Sequence, residues 1–268
     1  MTTMANLKYY WINLDKTTDR RDFMENQFKE RGYNNQRISA VSPEKLPQYL
    51  EDKPPYFCGY SECRDNKCKD CPIEYSVLCS HFEAIKEGYK SGDDYFIVCE
   101  DDIIFPFEID FNKIMERLPP SFDIIQFMAI SAGHTDYFYE NFYKKGVNFI
   151  TYNPITPSAA FYLITRKGAE QLLSTYINKK SGKCDFKNCS FLKLADVLIF
   201  QTVFTFVSTF PLCIPKISFK SQIHEHHYKA HKDAAEMIIS KIKDDNRKNE
   251  FIVNYYYPCE DLEKLFKS

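Results

Sequence analysis

The sequence predicts an α/β fold of three layers, with helices packed on both faces of a central sheet. Three observations predict it. Apolar runs of strand length alternate with stretches of helical spacing through the first two thirds of the chain. The opening reads as strand, helix, strand. Tyr95 to Cys99 places five apolar or aromatic residues in a row, the pattern of a strand buried on both faces of a parallel sheet.

Taken in order, Lys8 to Leu14 reads as the first strand, closed by Asn13 and Asp15. Thr17, Thr18 and Asp19 offer N-cap residues for a helix through about Arg31, with Gly32 as its stop. Arg37 to Val41 follows as a second strand. Residues 42–72 differ in kind, with five prolines and four cysteines, and read as a long loop or inserted lobe. Ser76 to Tyr89 has Leu78, Phe82, Ile85 and Tyr89 on one helical face. The strand at Tyr95 follows, then a short helix from Phe111 to Arg117, a Pro119–Pro120 break and a strand from Phe122 to Met128. Ser131 to Pro157 is aromatic and weakly periodic, with one short strand near Val147 to Tyr152. Tyr137, Phe138, Tyr139, Phe142 and Tyr143 give it the make-up of a loop that stacks on sugar rings or simply packs. Ala159 to Thr165 reads as a strand, Arg166 to Ile177 and Leu194 to Val207 as helices, and Leu212 to Ile214 as a strand. Helical signals return at Ala234 to Ile242 and Leu262 to Phe266.

The totals bound the function. A chain of 268 residues, 44% hydrophobic and 27% charged, can bury a sizeable core as one large domain. A net charge of −2 without a basic stripe excludes the nucleic-acid-binding classes. Met1 to Leu7 is too short and polar for a secretory leader. Val197 to Val207 is interrupted by Gln201, Thr202 and Thr205 and is too short to span a bilayer, so the expectation is a soluble protein.

The strand at Tyr95 ends in Glu100, Asp101 and Asp102. Adjacent carboxylates repel and are costly to bury unless water or a cation neutralises them. In open α/β sheets ligands bind beyond the carboxyl ends of the strands, where these acids fall. Their plain alternative is a solvated turn.

Four blocks in the same order resemble glycosyltransferase family 25, the lipooligosaccharide and procollagen galactosyltransferase-like enzymes. Tyr10 to Arg21 resembles that family's INLDxxxDRR opening. Glu74 to His81 resembles EIGCxLSH, with Ser76, Val77 and Cys79 departing from it. Phe96 to Asp102 resembles LILEDD. Ala160 to Leu173 resembles AYLISRKGAxxLL, with Asp196 at the place of the family's next aspartate. The resemblance implies a GT-A fold, a Rossmann-like α/β/α sandwich around a mostly parallel sheet. It would cover about residues 1–230, with a Cys-rich insertion near 42–72 and a helical tail at 231–268. It also implies a UDP-sugar donor, Mn²⁺ or Mg²⁺ as cofactor, and a glycan or protein hydroxyl as acceptor.

On that resemblance Asp102 is the metal ligand, and Glu100 and Asp101 belong to the donor side, Glu100 reaching the ribose or a metal-bound water. Hard oxygen ligands suit Mn²⁺ or Mg²⁺. Asn13 and Leu14 sit where uracil and ribose would dock. Arg20 is placed on the diphosphate, with a surface arginine as its alternative. His81 either hydrogen-bonds the donor or is satisfied within helix packing. Asp196 is either a charge at a helix N-terminus or the general base that takes the acceptor's proton in an inverting displacement. His224 and His226 share a face in an extended segment, and either completes the metal shell or belongs to a polar turn. Lys220 and Gln222 lie nearby for the diphosphate.

Cys58, Cys63, Cys68 and Cys71 fit a structural zinc site or two disulfides, with Cys184 and Cys189 as a third bridge. The paired clusters tilt the reading to disulfides. Disulfides imply an oxidising lumen, zinc or free thiols the cytosol. Cys79, Cys99 and Cys213 read as buried thiols. The function that collects these features is a metal-dependent, inverting transfer of galactose or glucose from a UDP-sugar to a hydroxyl. A sugar nucleotidyltransferase would want a Gly-rich phosphate loop, and Asn13 to Arg21 contains no glycine. A catalytically silent glycan-binding member of the same fold is the other alternative.

Overall fold

A computed structural model describes residues 7–59, 70–119, 121–154, 156–219, 228–246, 248–258 and 260–267. Its strands are β1 (Tyr9–Asn13), β2 (Asn35–Ser39), β3 (Tyr95–Glu100), β4 (Ile103–Ile104), β5 (Phe107–Ile109), β6 (Ile124–Gln126), β7 (Phe149–Thr151), β8 (Phe161–Thr165), β9 (Thr205–Ser208), β10 (Ile214–Pro215) and β11 (Ile252–Tyr255). The helices are α1 (Thr18–Arg31), α2 (Leu46–Tyr49), α3 (Cys71–Ser91), α4 (Phe111–Arg117), α5 (Ala132–Asn141), α6 (Arg166–Tyr176), α7 (Ala195–Thr202), α8 (Tyr228–Asp245) and α9 (Leu262–Lys267).

Among the described residues, seven strands form one sheet in the order β2-β1-β3-β8-β6-β9-β7. β1 pairs in parallel with β2 and β3, and β6 with β9. β8 lies antiparallel between β3 and β6, and β7 closes the edge antiparallel to β9. Five strands therefore share one direction, which is the mostly parallel Rossmann-like sheet expected.

The three layers follow from a period of two along the strands. Tyr9, Trp11, Ile97, Cys99, Phe161, Leu163 and Ile125 face a core shared with α1, α4, α5 and α8. Tyr10, Ile12, Phe96, Val98, Tyr162, Ile164 and Ile124 face the opposite core, filled from α2, α3, α6 and α7. α3 approaches β3 closely at Gly88, where a Cβ would run into the Phe96 ring.

Several expected elements change. The apolar run from Leu194 to Val207 is not one helix: α7 stops at Thr202, and Thr205–Ser208 is a buried strand of the main sheet. A run that is apolar throughout carries no period to separate the two, and pairing with β6 and β7 decides it. The aromatic stretch from Ser131 contains α5, capped by Ser131 Oγ accepting from the His134 N–H. Phe138 and Tyr139 point into the interior, while Tyr137 stays exposed. The second strand runs over Asn35–Ser39, and the strand expected at Leu212 is Ile214–Pro215, paired with β4. Residues 42–59 include a 3-10 turn at Pro43–Lys45 and α2, and Cys71 already opens α3. At the C-terminal end, α8 contributes Ala235, Ile238, Ile239 and Ile242 to the first core, and β11 pairs with β5. No described helix is long and apolar enough to cross a membrane.

Candidate active site

The five co-directional strands end on one edge of the sheet, and the sequence puts polar residues there. β1 ends in Asn13, β3 in Glu100 followed by Asp101 and Asp102, and β6 in Gln126. Because β8 runs the other way, the turn leading into it, residues 156–160, lies on the same edge. The Glu100 N–H donates to the Ala160 carbonyl at 2.9 Å, which ties that turn to the acids.

Asp101 is the buried member of the acidic run. Its Oδ1 accepts from Arg20 Nη1 at 2.7 Å and its Oδ2 from Asn13 Nδ2 at 2.6 Å. Arg20 comes from the first turn of α1, and the same Nη1 lies 3.2 Å from Asp102 Oδ2. Burial pushes the Asp101 carboxyl up against the pull of Arg20 and Asn13, with Glu100 adding to the rise. Burial works against the Arg20 charge, but Asp102 and Asp101 more than offset it and its pKa is raised. Asn13 is itself buried and engaged: Nδ2 also reaches Thr17 Oγ1 at 2.9 Å, and Oδ1 accepts from Arg37 Nε at 2.9 Å. Asn13 thus serves the interior by holding Asp101. Leu14, half-buried, receives the Thr17 N–H at its carbonyl and shapes the turn into α1.

Glu100 and Asp102 flank Asp101 and stay partly open, with 28% and 31% of their side chains exposed. Behind Glu100 stands His81 of α3, fully buried, with Nε2 3.2 Å from Glu100 Oε1 and Nδ1 3.2 Å from the Tyr162 hydroxyl. A carboxylate only accepts, so Nε2 carries a proton toward Glu100. Among the described residues, His81 meets the acids through Glu100. Asp102 is pushed up to about 7, by desolvation first and by Glu100 and Asp101 in addition, with Arg20 opposing. A carboxylate raised by desolvation, with acids beside it, is one whose charged form a cation would favour.

Lys216 is a neighbour that motif reading missed. Its backbone N–H donates to the Asp102 carbonyl at 2.7 Å, and its Nζ lies over the rings of Phe23 and Phe219 at 5.1 and 5.7 Å. Arg20 shares the Phe219 ring at 5.4 Å. Arg20 is thus the cation paired with the acids, while the Lys216 ammonium lies over aromatic rings with its pKa lowered by burial. Arg37, also missed, anchors Asn13 and holds Asp15 at 2.6 Å, keeping that exposed carboxyl below its usual range with help from Ser39. Only the three-dimensional crossing of β1, β2 and the 214–219 segment brings these residues in, so no local spacing signals them.

Asp196 sits in the first turn of α7, half-buried. Its Oδ2 accepts from the Ser158 N–H at 3.1 Å, and its carbonyl accepts from the Tyr152 hydroxyl at 2.8 Å. Burial raises its pKa, the Ser158 N–H opposes, and Glu100 raises it further, so the two acids feel one another. Ser158 holds a φ of 113° without being a glycine.

The structure thus brings Asn13, Arg20, Glu100, Asp101, Asp102 and Asp196 to one edge, with His81 behind them. His224, His226, Lys220 and Gln222 lie outside the described residues, as do Cys63 and Cys68. Among the described residues, no three His, Cys, Asp or Glu side chains cluster as a ready metal site. Glu100 and Asp102 nevertheless offer the hard, mutually repelling oxygens that Mn²⁺ or Mg²⁺ takes. Cys184 and Cys189 are free thiols rather than a bridge, since Cys184 turns inward against Cys79. Cys58 and Cys71 are buried, with their Sγ atoms 3.4 Å apart.

Comparison with known families matches residues 6–186 to glycosyltransferase family 25 (LPS biosynthesis protein). No curated protein matches the chain significantly.

Proposed function

The chain belongs to glycosyltransferase family 25, and from that premise we propose that it moves a hexose, galactose or glucose, from a UDP-sugar to a hydroxyl acceptor with inversion. The observation that carries this reading is the division of labour at the strand edge. Glu100 and Asp102 are partly exposed, with Arg20 paired to Asp102, while Asp196 has its own hydrogen-bond donor.

In this reading Asp196 takes the proton of the acceptor hydroxyl. Its oxygen bonds to the anomeric carbon as the bond to UDP breaks, and that electron pair leaves on the diphosphate. A raised pKa makes Asp196 a stronger proton acceptor than an ordinary aspartate. Arg20, paired with Asp102, would supply positive charge for the diphosphate. Asp101, held by Arg20 and Asn13, fixes the strand end so that Glu100 and Asp102 stay oriented. His81 fixes Glu100 in turn. A Mn²⁺ or Mg²⁺ ion held by Asp102, with Glu100 beside it, would neutralise charge on the departing diphosphate. The acceptor is a glycan or a hydroxylysine-type protein hydroxyl.

UDP with Mn²⁺ should raise the melting temperature, and Asp102→Ala should remove that shift. Failure of every nucleotide sugar to shift the melting temperature would overturn the proposal.

A further inference from the structure

A carboxylate acts as a base only while it is aimed, and the group that aims Asp196 is a backbone N–H in an unfavourable conformation. Ser158 lies in the left-handed region at φ 113°, which a residue with a Cβ adopts only when its surroundings impose it. The turn must therefore be held from outside.

Gln126 does the holding. It ends β6, a central strand paired with β8 and β9, and is fully buried. Its Nε2 donates to the Ser158 carbonyl at 2.7 Å and to the Pro157 carbonyl at 3.3 Å. The Ile130 N–H reaches the Pro157 carbonyl at 3.1 Å, and the Ala160 N–H reaches Ser158 Oγ at 3.2 Å. Gln126 Oε1 meets no partner among the described residues. Burying an amide with one end unpaired is costly, and an apolar side chain of similar size would fill the space without that cost. What an apolar side chain would not do is grip two successive carbonyls of the Ser158 turn.

We infer that Gln126 is a positioning residue for Asp196, acting through the Ser158 turn. The inference rests on Asp196 being the base proposed above. The groups facing Asp196 are the Ser158 N–H, the Tyr152 hydroxyl on its carbonyl, Glu100, and the first N–H groups of α7. Of these, the Ser158 N–H is the one Gln126 controls. A hydrogen bond to the charged form lowers an acid's pKa, so loosening the turn raises that of Asp196.

The test is a titration of the Asp196 carboxyl by ¹³C NMR, the signal assigned by its loss in Asp196→Asn. In Gln126→Met, which keeps the volume and removes both donors, the pKa should rise by about half a unit or more. The transfer kcat should fall about tenfold or more, with the donor KM unchanged. In Ser158→Gly, which keeps the N–H and frees the backbone, the titration should stay near wild type while Gln126 is present. An Asp196 titration unmoved by Gln126→Met overturns the inference. Should that variant not fold, the wild-type chain decides. The Ser158 amide and the Gln126 side-chain amide protons must both shift as Asp196 titrates, and a Gln126 amide that ignores the titration overturns the inference. The titration reads the link whether or not the protein transfers sugar, so an inactive wild type counts against the proposed function alone.

Discussion

Replacing Arg20 tests the frame of the site more directly than any change to the acids. Arg20→Met keeps most of the stem and deletes the guanidinium 2.7 Å from Asp101 and 3.2 Å from Asp102. Both members of the closer pair are nearly buried, with 9% and 10% of their side chains exposed. Removing one partner of a buried pair costs about 3–5 kcal/mol, because the other charge is left uncompensated. For a chain of this size that lowers the melting temperature by about 6–15 °C. The loss must depend on pH. The folded Asp101 pKa is already raised by burial and rises further without Arg20. A raised carboxyl contributes stability below its unfolded pKa and loses it as pH rises through the folded value. The deficit of Arg20→Met relative to wild type should therefore be small near pH 4 and widest near pH 8. Urea unfolding at the two pH values reads this. Arg20→Met combined with Asp101→Leu should recover much of the loss, since an apolar pair of similar size is tolerated where a broken ion pair is not. An equal deficit at both pH values, or no recovery in the double variant, would refute the argument.

Three further outcomes follow from the same geometry. Gly88→Ala should destabilise by about 1–3 kcal/mol in urea unfolding, because its Cβ meets the buried Phe96 ring, and a melt like wild type would contradict that packing. Asp196→Asn should lower kcat by about 10²–10⁴ while the UDP-induced thermal shift survives, and a kcat near wild type would remove Asp196 as the base. Chelation with EDTA should abolish transfer and added Mn²⁺ restore it, and undiminished transfer in EDTA would dismiss the metal ion.

The site was legible where one short segment carries both a strand and its chemistry. Tyr95 to Asp102 announces a buried strand running into acids, and the structure buries Phe96 to Cys99 and leaves Glu100 and Asp102 partly open. Arg20 and Asn13 were singled out from the opening block, yet their partner is Asp101, some eighty residues away in the chain. His81 was read as either a donor contact or a packed histidine. The structure packs it in the interior, between Tyr162 and Glu100.

The sequence by itself determined the class of fold, because alternating strand and helix patterns leave few ways to bury their apolar faces, and it determined the family through four collinear blocks. Tertiary structure alone decided what no local pattern encodes. Val203 to Ser208 is apolar enough for helix or strand, and β6 and β7 on either side make it a strand. Gln126, Ser158, Arg37 and Lys216 are unremarkable residues in their own segments. They belong to the site because β8 runs antiparallel between β3 and β6, and because β2 and the 214–219 segment border the ends of β1 and β3. That arrangement carries their polar groups to the edge where the acids end. Side-chain chemistry is written in the sequence. Which buried donor meets which carboxylate depends on strand direction and register, and those are settled only when the whole sheet closes.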